Sequence, residues 1–408
     1  MSQLLDCDEF MSELRNDDER TWAMYLFISS YSLDPNRINQ LLDYIVFEAT
    51  DKGDYNRAFK YPFYASQIFQ FDIKPIIDAF FIKEESKVPS KELAQSIEGK
   101  DSDMILIDSL STPKEENKKS GLLEKLFSFL DTKDELNPML AGYFFKAFSG
   151  ISNLCKDELL EYLFEFTNHI DNMIKHVDNR SISATLRSIL GYTKNNESNK
   201  KKEEVVKKLV EALESVKNQE AAMNISWIIG KVIAEKEYLE YLMSKETVEK
   251  LFKSVNKNVS SCLKGVLNII IKLYQVNVEN QDSQMSNKIP DMKPVLEQSI
   301  KFLPIAKKLL EHKSKEITIP TTYGNRLNVL GIDKLSVIEW LQELINKYIE
   351  MKDDMVIKEV GKLKIPELLL FLMKEHYMNS ILHLKVFTIF EGAIKSKISS
   401  YVKAVSTR

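Results

Sequence analysis

Gly121-Leu-Leu-Glu-Lys-Leu-Phe-Ser-Phe-Leu130, a polar turn from Asp131 to Glu135, then Leu136-Asn137-Pro138-Met139-Leu140-Ala141-Gly142-Tyr143-Phe144-Phe145: this stretch, which runs on to Ile189, decides the fold. Asn137 is a good N-cap, because its side-chain oxygen can accept from one of the free N–H groups that open a helix. Pro138 follows at the first helical position, where the N–H it lacks would be unpaired in any case. Behind it, Leu140, Phe144, Ala147, Ile151 and Leu154 recur at helical spacing and make one apolar face. Phe145 and Phe148 widen that face, and Ala141 and Gly142 leave room for a neighbouring helix. A helix apolar around so much of its girth needs partners on more than one side. Helix, tight turn, thick apolar helix, turn, further helix is the pattern of stacked helical pairs.

The same rhythm extends outward in both directions. Residues 3–31 predict two short helices, the second carrying Trp22, Leu26, Phe27 and Tyr31. Asp34-Pro35 opens another, with Ile38, Leu41, Leu42, Ile45 and Val46 as its apolar face. Pro62 leads a helix through Ala65, Ile68 and Phe69, and Asp72 caps one through Ile76, Ile77 and Phe80. From Glu84 to Ser120 the pattern weakens into charge, serine and proline, with one apolar island at Met104 to Leu110, which predicts an inserted, irregular segment. Proteases are expected to reach it first, and Ser109, Ser111 and Thr112-Pro113 are its phosphorylation candidates. Further on, Asn195 to Lys202 reads as a polar linker, and helices follow over 205–216, 221–234, 248–255, 260–274 and 295–310. Gln275 to Lys293 reads as a polar loop. Glu316 to Ile332, with Pro320 and Gly324, is the one place where an extended segment fits. Helices then close the chain. The prediction is one all-α domain over residues 1–408, a HEAT or armadillo-like helical-repeat solenoid with divergent repeats and an insertion at about 84–120.

Bulk properties narrow the function. Hydrophobic residues are 44% and charged residues 28% of the 408, enough for a large core and against global disorder. Only 12 glycines occur, too few near strand ends for a glycine-rich phosphate-binding turn. A net charge of -4 lacks the basic footprint of a nucleic-acid binder. Cys7, Cys155 and Cys262 are odd in number and far apart, which fits buried thiols in a reducing compartment. No basic and apolar leader opens the sequence and no apolar run reaches membrane-spanning length, so a cytosolic or nuclear location and no membrane role are expected.

The titratable residues do not assemble a catalytic motif. His169 and His176, like His376 and His383, are seven apart, which on a helix is about 10.5 Å along the axis, too far to share a metal. Asp17-Asp18-Glu19 and Asp353-Asp354 lack the repeated aspartates of a magnesium-bridging motif and read as acids at helix N-termini. Neither a P-loop, a nucleophile elbow nor a His-Glu-x-x-His motif is present, and the His and Asp motifs of two-metal phosphatases are missing. No cofactor, metal or catalytic residue is expected.

The central blocks resemble a known family. Leu122 to Leu130 and Leu136 to Phe148 are similar to the central signature of the SAPS family, regulatory subunits associated with the type-6 branch of type-2A-like serine/threonine phosphatases. Met173-Ile-Lys-His-Val177 and Ser183-Ala-Thr-Leu-Arg-Ser-Ile-Leu190 resemble its next block, in the same order. Lys60-Tyr61-Pro62 with Asp72 and Asp78 resembles an early one, and Arg326-Leu-Asn-Val329 and Asn379 to His383 resemble late ones. The segment 84–120 departs from the family's shorter connection, and the long disordered C-terminal tail common in the family is absent from this sequence. The resemblance implies a non-catalytic subunit that binds a type-6-like catalytic subunit, with a further scaffold protein as a possible companion. Lys60, Tyr61, Asn137, Lys146, Lys175, His176 and Arg187, polar residues of the matched blocks, are the expected partner contacts. Asn137 also reads as a cap and Tyr61 as a core residue. Periodicity by itself leaves open an unrelated helical-repeat adaptor for transport or complex assembly.

Overall fold

The computed structural model describes residues 35–81, 121–192, 196–276, 290–312, 318–320, 324 and 326–395, except positions 52, 72 and 258. The expected helices over 3–31, the Asp72 cap, Cys7 and the insertion at 84–120 with its phosphorylation candidates lie outside the described residues. The rest is helical apart from one hairpin, as the periodicity predicts. Two compact units divide between Asn172 and Met173.

In the first unit, α1 (Pro35–Val46) packs on α2 (Tyr61–Gln70), and α3 (Lys74–Asp78) follows. A π-helical turn, Asn56–Lys60, runs directly into α2. After α4 (Gly121–Phe127) comes the thick helix α5 (Pro138–Leu154), which takes α1, α2, α3 and α6 (Lys156–Glu165) as neighbours. This is the many-sided packing that its apolar girth demands. The close approach of α2 and α5 is set by Gly150 rather than by the Ala141-Gly142 pair: a Cβ there would come within 1.9 Å of the Phe69 carbonyl oxygen. Phe127, Phe144 and Phe148 are fully buried around it.

The second unit repeats one move. After α7 (Thr167–Lys175), the helices α8 (Arg180–Leu190), α10 (Gln219–Ala234), α13 (Val259–Tyr274), α15 (Ile332–Glu350) and α18 (Ser380–Lys395) pack each on the next and form one row. A second row lies behind it: α9 (Asn196–Ala212), α12 (Lys245–Lys257), α14 (Lys293–Glu311), then α16 (Met355–Lys362) and α17 (Ile365–Glu375). The short α11 (Leu239–Leu242) and the consecutive pair α16 and α17 interrupt the alternation. Two rows of helices filled in sequence order are the helical-repeat architecture, in which each pair buries its apolar face on its neighbours. Gly265 on α13 lets that helix close on α10, since a Cβ would meet the Ala222 carbonyl oxygen at 2.5 Å. Between the rows, Trp340 packs edge-on against Phe302, while Phe252 and Phe302 stack at 4.7 Å. The Trp340 indole donates to Tyr274 Oη at 3.2 Å, and Tyr274 donates to Ser299 Oγ at 2.5 Å.

The expected extended segment is a small hairpin. Strands β1 (Thr318–Pro320) and β2 (Arg326–Asn328) pair antiparallel with Ile319 opposite Leu327. The linker over 195–202 is corrected: α9 already begins at Asn196, and Lys202 is fully buried. Helical period explains this, because position 202 falls on the same face as buried Val205, Val206 and Leu209. There its charge faces the carboxyl of Glu237, whose pKa burial raises and Lys202 lowers.

Candidate functional site

The seven candidate residues divide between the units. In the first, Asn137 is the cap of α5: its Oδ1 accepts from the Met139 and Leu140 amides at 3.0 and 3.3 Å. Its Nδ2 donates to Glu48 Oε1 at 2.9 Å, which ties the start of α5 to the end of α1. Beside this bond opens a cavity of about 170 Å³, whose lining includes Phe47, Arg57, Phe59 and Met139. Phe47, Phe59 and Met139 are exposed along it, and exposed Tyr55 packs on Phe59 with ring centres 5.4 Å apart. Arg57 fixes the rim, donating through Nη2 to the Asp43 and Phe47 carbonyls at 3.0 Å each, while its guanidinium lies 5.0 Å from the Tyr44 ring centre. Tyr61 packs against Tyr44 with ring centres 5.2 Å apart. The half-buried Lys60 and Lys146 hold their ammonium groups 6.0 Å over Tyr64 and 5.3 Å over Phe63.

In the second unit Lys175 is exposed at the end of α7, and His176 is buried directly after it. A buried ring offers a partner little, so His176 serves the fold. Arg187 projects from α8 onto Trp227 of α10, its guanidinium carbon 4.1 Å from the ring centre. Arg180, two turns earlier, lies 3.4 Å from the same ring. Its Nη1 donates to Asn224 Oδ1 at 3.0 Å, and Asn224 is itself held by the Val177 and Asp178 carbonyls at 2.9 Å each. Arg180, Trp227 and the groove aromatics Phe47 and Phe59 were not singled out as partner contacts by sequence. Composition hides them: each is one ordinary residue on its own helix or loop, and only packing gathers them.

Three further histidines, His169, His376 and His383, serve the fold. His169 stacks on Phe127 at 5.0 Å and meets Tyr162 Oη through Nε2 at 3.2 Å, and burial lowers its pKa. His376 Nδ1 contacts the Asn328 carbonyl at 3.1 Å, and His383 Nε2 the His376 carbonyl at 3.3 Å. Asp353 and Asp354 act at the start of α16, where the Met355 amide donates to Asp353 at 2.8 Å and Lys358 pairs with Asp354 at 2.5 Å. Among the described residues no group of three His, Cys, Asp or Glu side chains is placed to hold a metal ion. Among them, too, no helix is long and apolar enough to cross a membrane.

The family described as SIT4 phosphatase-associated protein, SAPS, matches residues 153–359 of this chain. Among curated proteins, serine/threonine-protein phosphatase 6 regulatory subunit 1 of Homo sapiens is 20% identical over 440 residues, covering 98% of this chain and 44% of that protein. The SIT4-associating protein SAP185 of Saccharomyces cerevisiae is 25% identical over 256 residues, covering 55% of this chain and 24% of its own length. The chain thus spans less than half the length of these relatives. A solved circular tandem repeat protein is 10% identical, covers 99% of this chain and 86% of its own, and superposes with a TM-score of 0.31, too low to carry an argument.

Proposed function

This chain belongs to the SIT4 phosphatase-associated (SAPS) family, and from that premise we propose that it is a non-catalytic regulatory subunit that binds the catalytic subunit of a serine/threonine phosphatase, of the type-6 kind. The family match over 153–359 is the observation that carries this reading. The names of the relatives, regulatory subunits and phosphatase-associating proteins, support it.

For the docking surface the geometry favours the groove beside Asn137. Exposed Phe47, Tyr55, Phe59 and Met139 with a pinned Arg57 match the composition of interface anchors, in which aromatic and arginine side chains supply most of the binding energy. Asn137 and Glu48 form its polar wall. Lys60, Tyr61 and Lys146 lie behind it in the same unit, and Lys175 is a further exposed charge in the other.

The test is capture from a native extract with the tagged chain, followed by mass spectrometry. A metallophosphatase catalytic subunit should be recovered, and the chain alone should hydrolyse no phosphoester. Phe59→Glu with Met139→Glu should reduce the recovery about tenfold or more while leaving the helical circular dichroism unchanged, because both side chains are exposed. Capture of transport or assembly factors without a phosphatase would replace this reading with a general helical-repeat adaptor.

A further inference from the structure

The row of helices in the second unit gathers positive charge from α8 and α13. The guanidinium groups of Arg180 and Arg187 both lie on Trp227. Lys272 reaches in from the next helix, α13, and its ammonium rests on the backbone of Gly230, where a Cβ would come within 1.8 Å of Nζ. Among the described residues no carboxylate pairs with any of the three, and the nearby Lys231 is already neutralised by Glu235 at 2.7 Å. Arg187 Nε is buried and, among the described residues, has no acceptor. Arg180 stands at the first position of α8, the end of a helix at which the macrodipole disfavours a cation. The Arg187 charge also depresses the pKa of both Arg180 and Lys272, in each case after the larger effect of burial. Two guanidinium groups on one indole and a lysine from α13, whose pKa burial and then Arg187 lower, stand without a carboxylate partner among the described residues.

We infer that the edges of the Arg180 and Arg187 guanidinium groups, which sandwich Trp227, bind together with Lys272 the phosphate of a phosphorylated serine or threonine in a segment of a partner protein. Guanidinium groups stacked by their faces on an aromatic ring keep their edge N–H donors for a ligand, and that fork fits phosphate oxygens. A single carboxylate would leave most of the charge uncompensated, whereas a phosphomonoester brings roughly -1.5 to -2 charges and three strong acceptors. Arg180 is oriented in advance through Asn224, so part of the ordering cost is met before binding. The surroundings favour a peptide over other carriers of phosphate. Half-buried Met223, one turn before Trp227 on α10, and Asn268, whose amide contacts the Met223 sulfur at 3.6 Å, offer apolar and amide contacts to a peptide chain. Among the described residues from 168 to 276 no large apolar side chain is exposed, so the surface lacks the wedge that a lipid layer would accept. The net charge of -4 argues against a nucleic-acid track. This inference goes beyond the phosphatase reading and stands without it, since the groove proposed for the catalytic subunit lies in the other unit.

The full chain would be titrated with a degenerate pool of fluorescent phosphoserine and phosphothreonine peptides, with the unphosphorylated pool and with vesicles carrying phosphoinositides. The phosphorylated pool should bind at least about tenfold more tightly than its counterpart, inorganic phosphate should compete, and the intrinsic fluorescence of the chain should change through Trp227. Arg187→Gln and Lys272→Met should each weaken the phosphopeptide about tenfold, and Lys272→Met should leave capture of the catalytic subunit intact. Should Arg187→Gln fail to fold, Arg180→Gln with Lys272→Met takes its place, because both side chains reach solvent. Equal binding of the two peptide pools, or phosphopeptide affinity unchanged in the folded variants, would overturn the inference. Binding to the vesicles without binding to peptides would also overturn it and assign the cluster to lipid headgroups.

Discussion

Two polar clusters lie within the same unit and follow opposite rules. At Tyr274, Ser299 and Trp340 each buried polar atom has its partner: the indole donates to the phenol, the phenol to the hydroxyl, and the hydroxyl to the Val295 carbonyl at 2.7 Å. At Arg180, Arg187 and Lys272 like charges are pressed together, and a buried Arg187 nitrogen goes without an acceptor among the described residues. The first cluster ties α13, α14 and α15 into one core, and its polar groups cost little because they satisfy one another. In the second, burial and the Arg187 charge both oppose the charged forms of Arg180 and Lys272, as in binding surfaces prepared for a charged ligand. A satisfied network marks scaffold, and a frustrated one on an open face marks use.

The largest effect should come from breaking the scaffold side of that contrast. Trp340 is fully buried between Phe252 and Phe302, so Trp340→Ala removes a large side chain from a core that cannot collapse around the gap. Chemical denaturation should report a loss of roughly 3–5 kcal/mol. A loss below about 1 kcal/mol would mean that the two rows of helices do not depend on this contact.

Tyr274→Phe is the gentler break. It keeps the ring but leaves the Trp340 N–H without its acceptor, at a cost of about 1–3 kcal/mol. It also carries a pH signature. Burial pushes the Tyr274 phenol well above its ordinary value of 10.0, so the folded chain keeps a proton that the unfolded chain begins to release at pH 10. The stability from this group is therefore complete below pH 10 and is lost as pH rises above it. Tyr162, Tyr238 and Tyr348 are raised in the same direction, the last to about 12. Denaturation between pH 9 and 11 should show a shallower decline in Tyr274→Phe than in the parent, and parallel curves would deny the network its role.

The contrast also explains what could be read from the sequence. Asn137 and Pro138 open a helix because capping and proline chemistry are local, and the helix begins where they place it. The break at Pro320 and Gly324 is legible for the same reason, and Gly324 adopts a positive φ of 81° in the hairpin. Gly150 and Gly265 escaped notice because their importance lies in a backbone that arrives from a distant part of the chain. The Arg180, Trp227 and Lys272 cluster comes from three helices that meet only when the row stacks, and no period within any one of them announces it. Lys202 misled in the opposite way: a run of three lysines followed by two glutamates suggests solvent, yet the turn of α9 carries the third lysine inward. Of the seven expected contacts, Arg187 is the one that meets Trp227, while Asn137 and Tyr61 also perform the structural tasks their residue types suggest.

The smallest effect is the sharpest test of the comparison, because its sign is reversed. Lys272→Met removes one charge from the frustrated cluster and keeps the unbranched stem that packs beside α10. The ordinary expectation for a substitution at a half-buried site is a modest loss of stability. Here the lysine is held against Gly230, burial and Arg187 both oppose its charge, and no carboxylate among the described residues compensates it. The sign of the linkage agrees: a lysine whose folded pKa lies below its unfolded value destabilises the fold while protonated, and stability recovers only as pH rises through the folded pKa toward 10.5. At neutral pH the variant should therefore melt higher, by about 1–2 °C, since solvent screening at this half-exposed site keeps the gain small. Added salt should narrow the difference by screening the repulsion in the parent. A lower melting temperature, unchanged by salt, would show that Lys272 stabilises the stack, and the charge cluster would then be scaffold like the tyrosine network rather than its opposite.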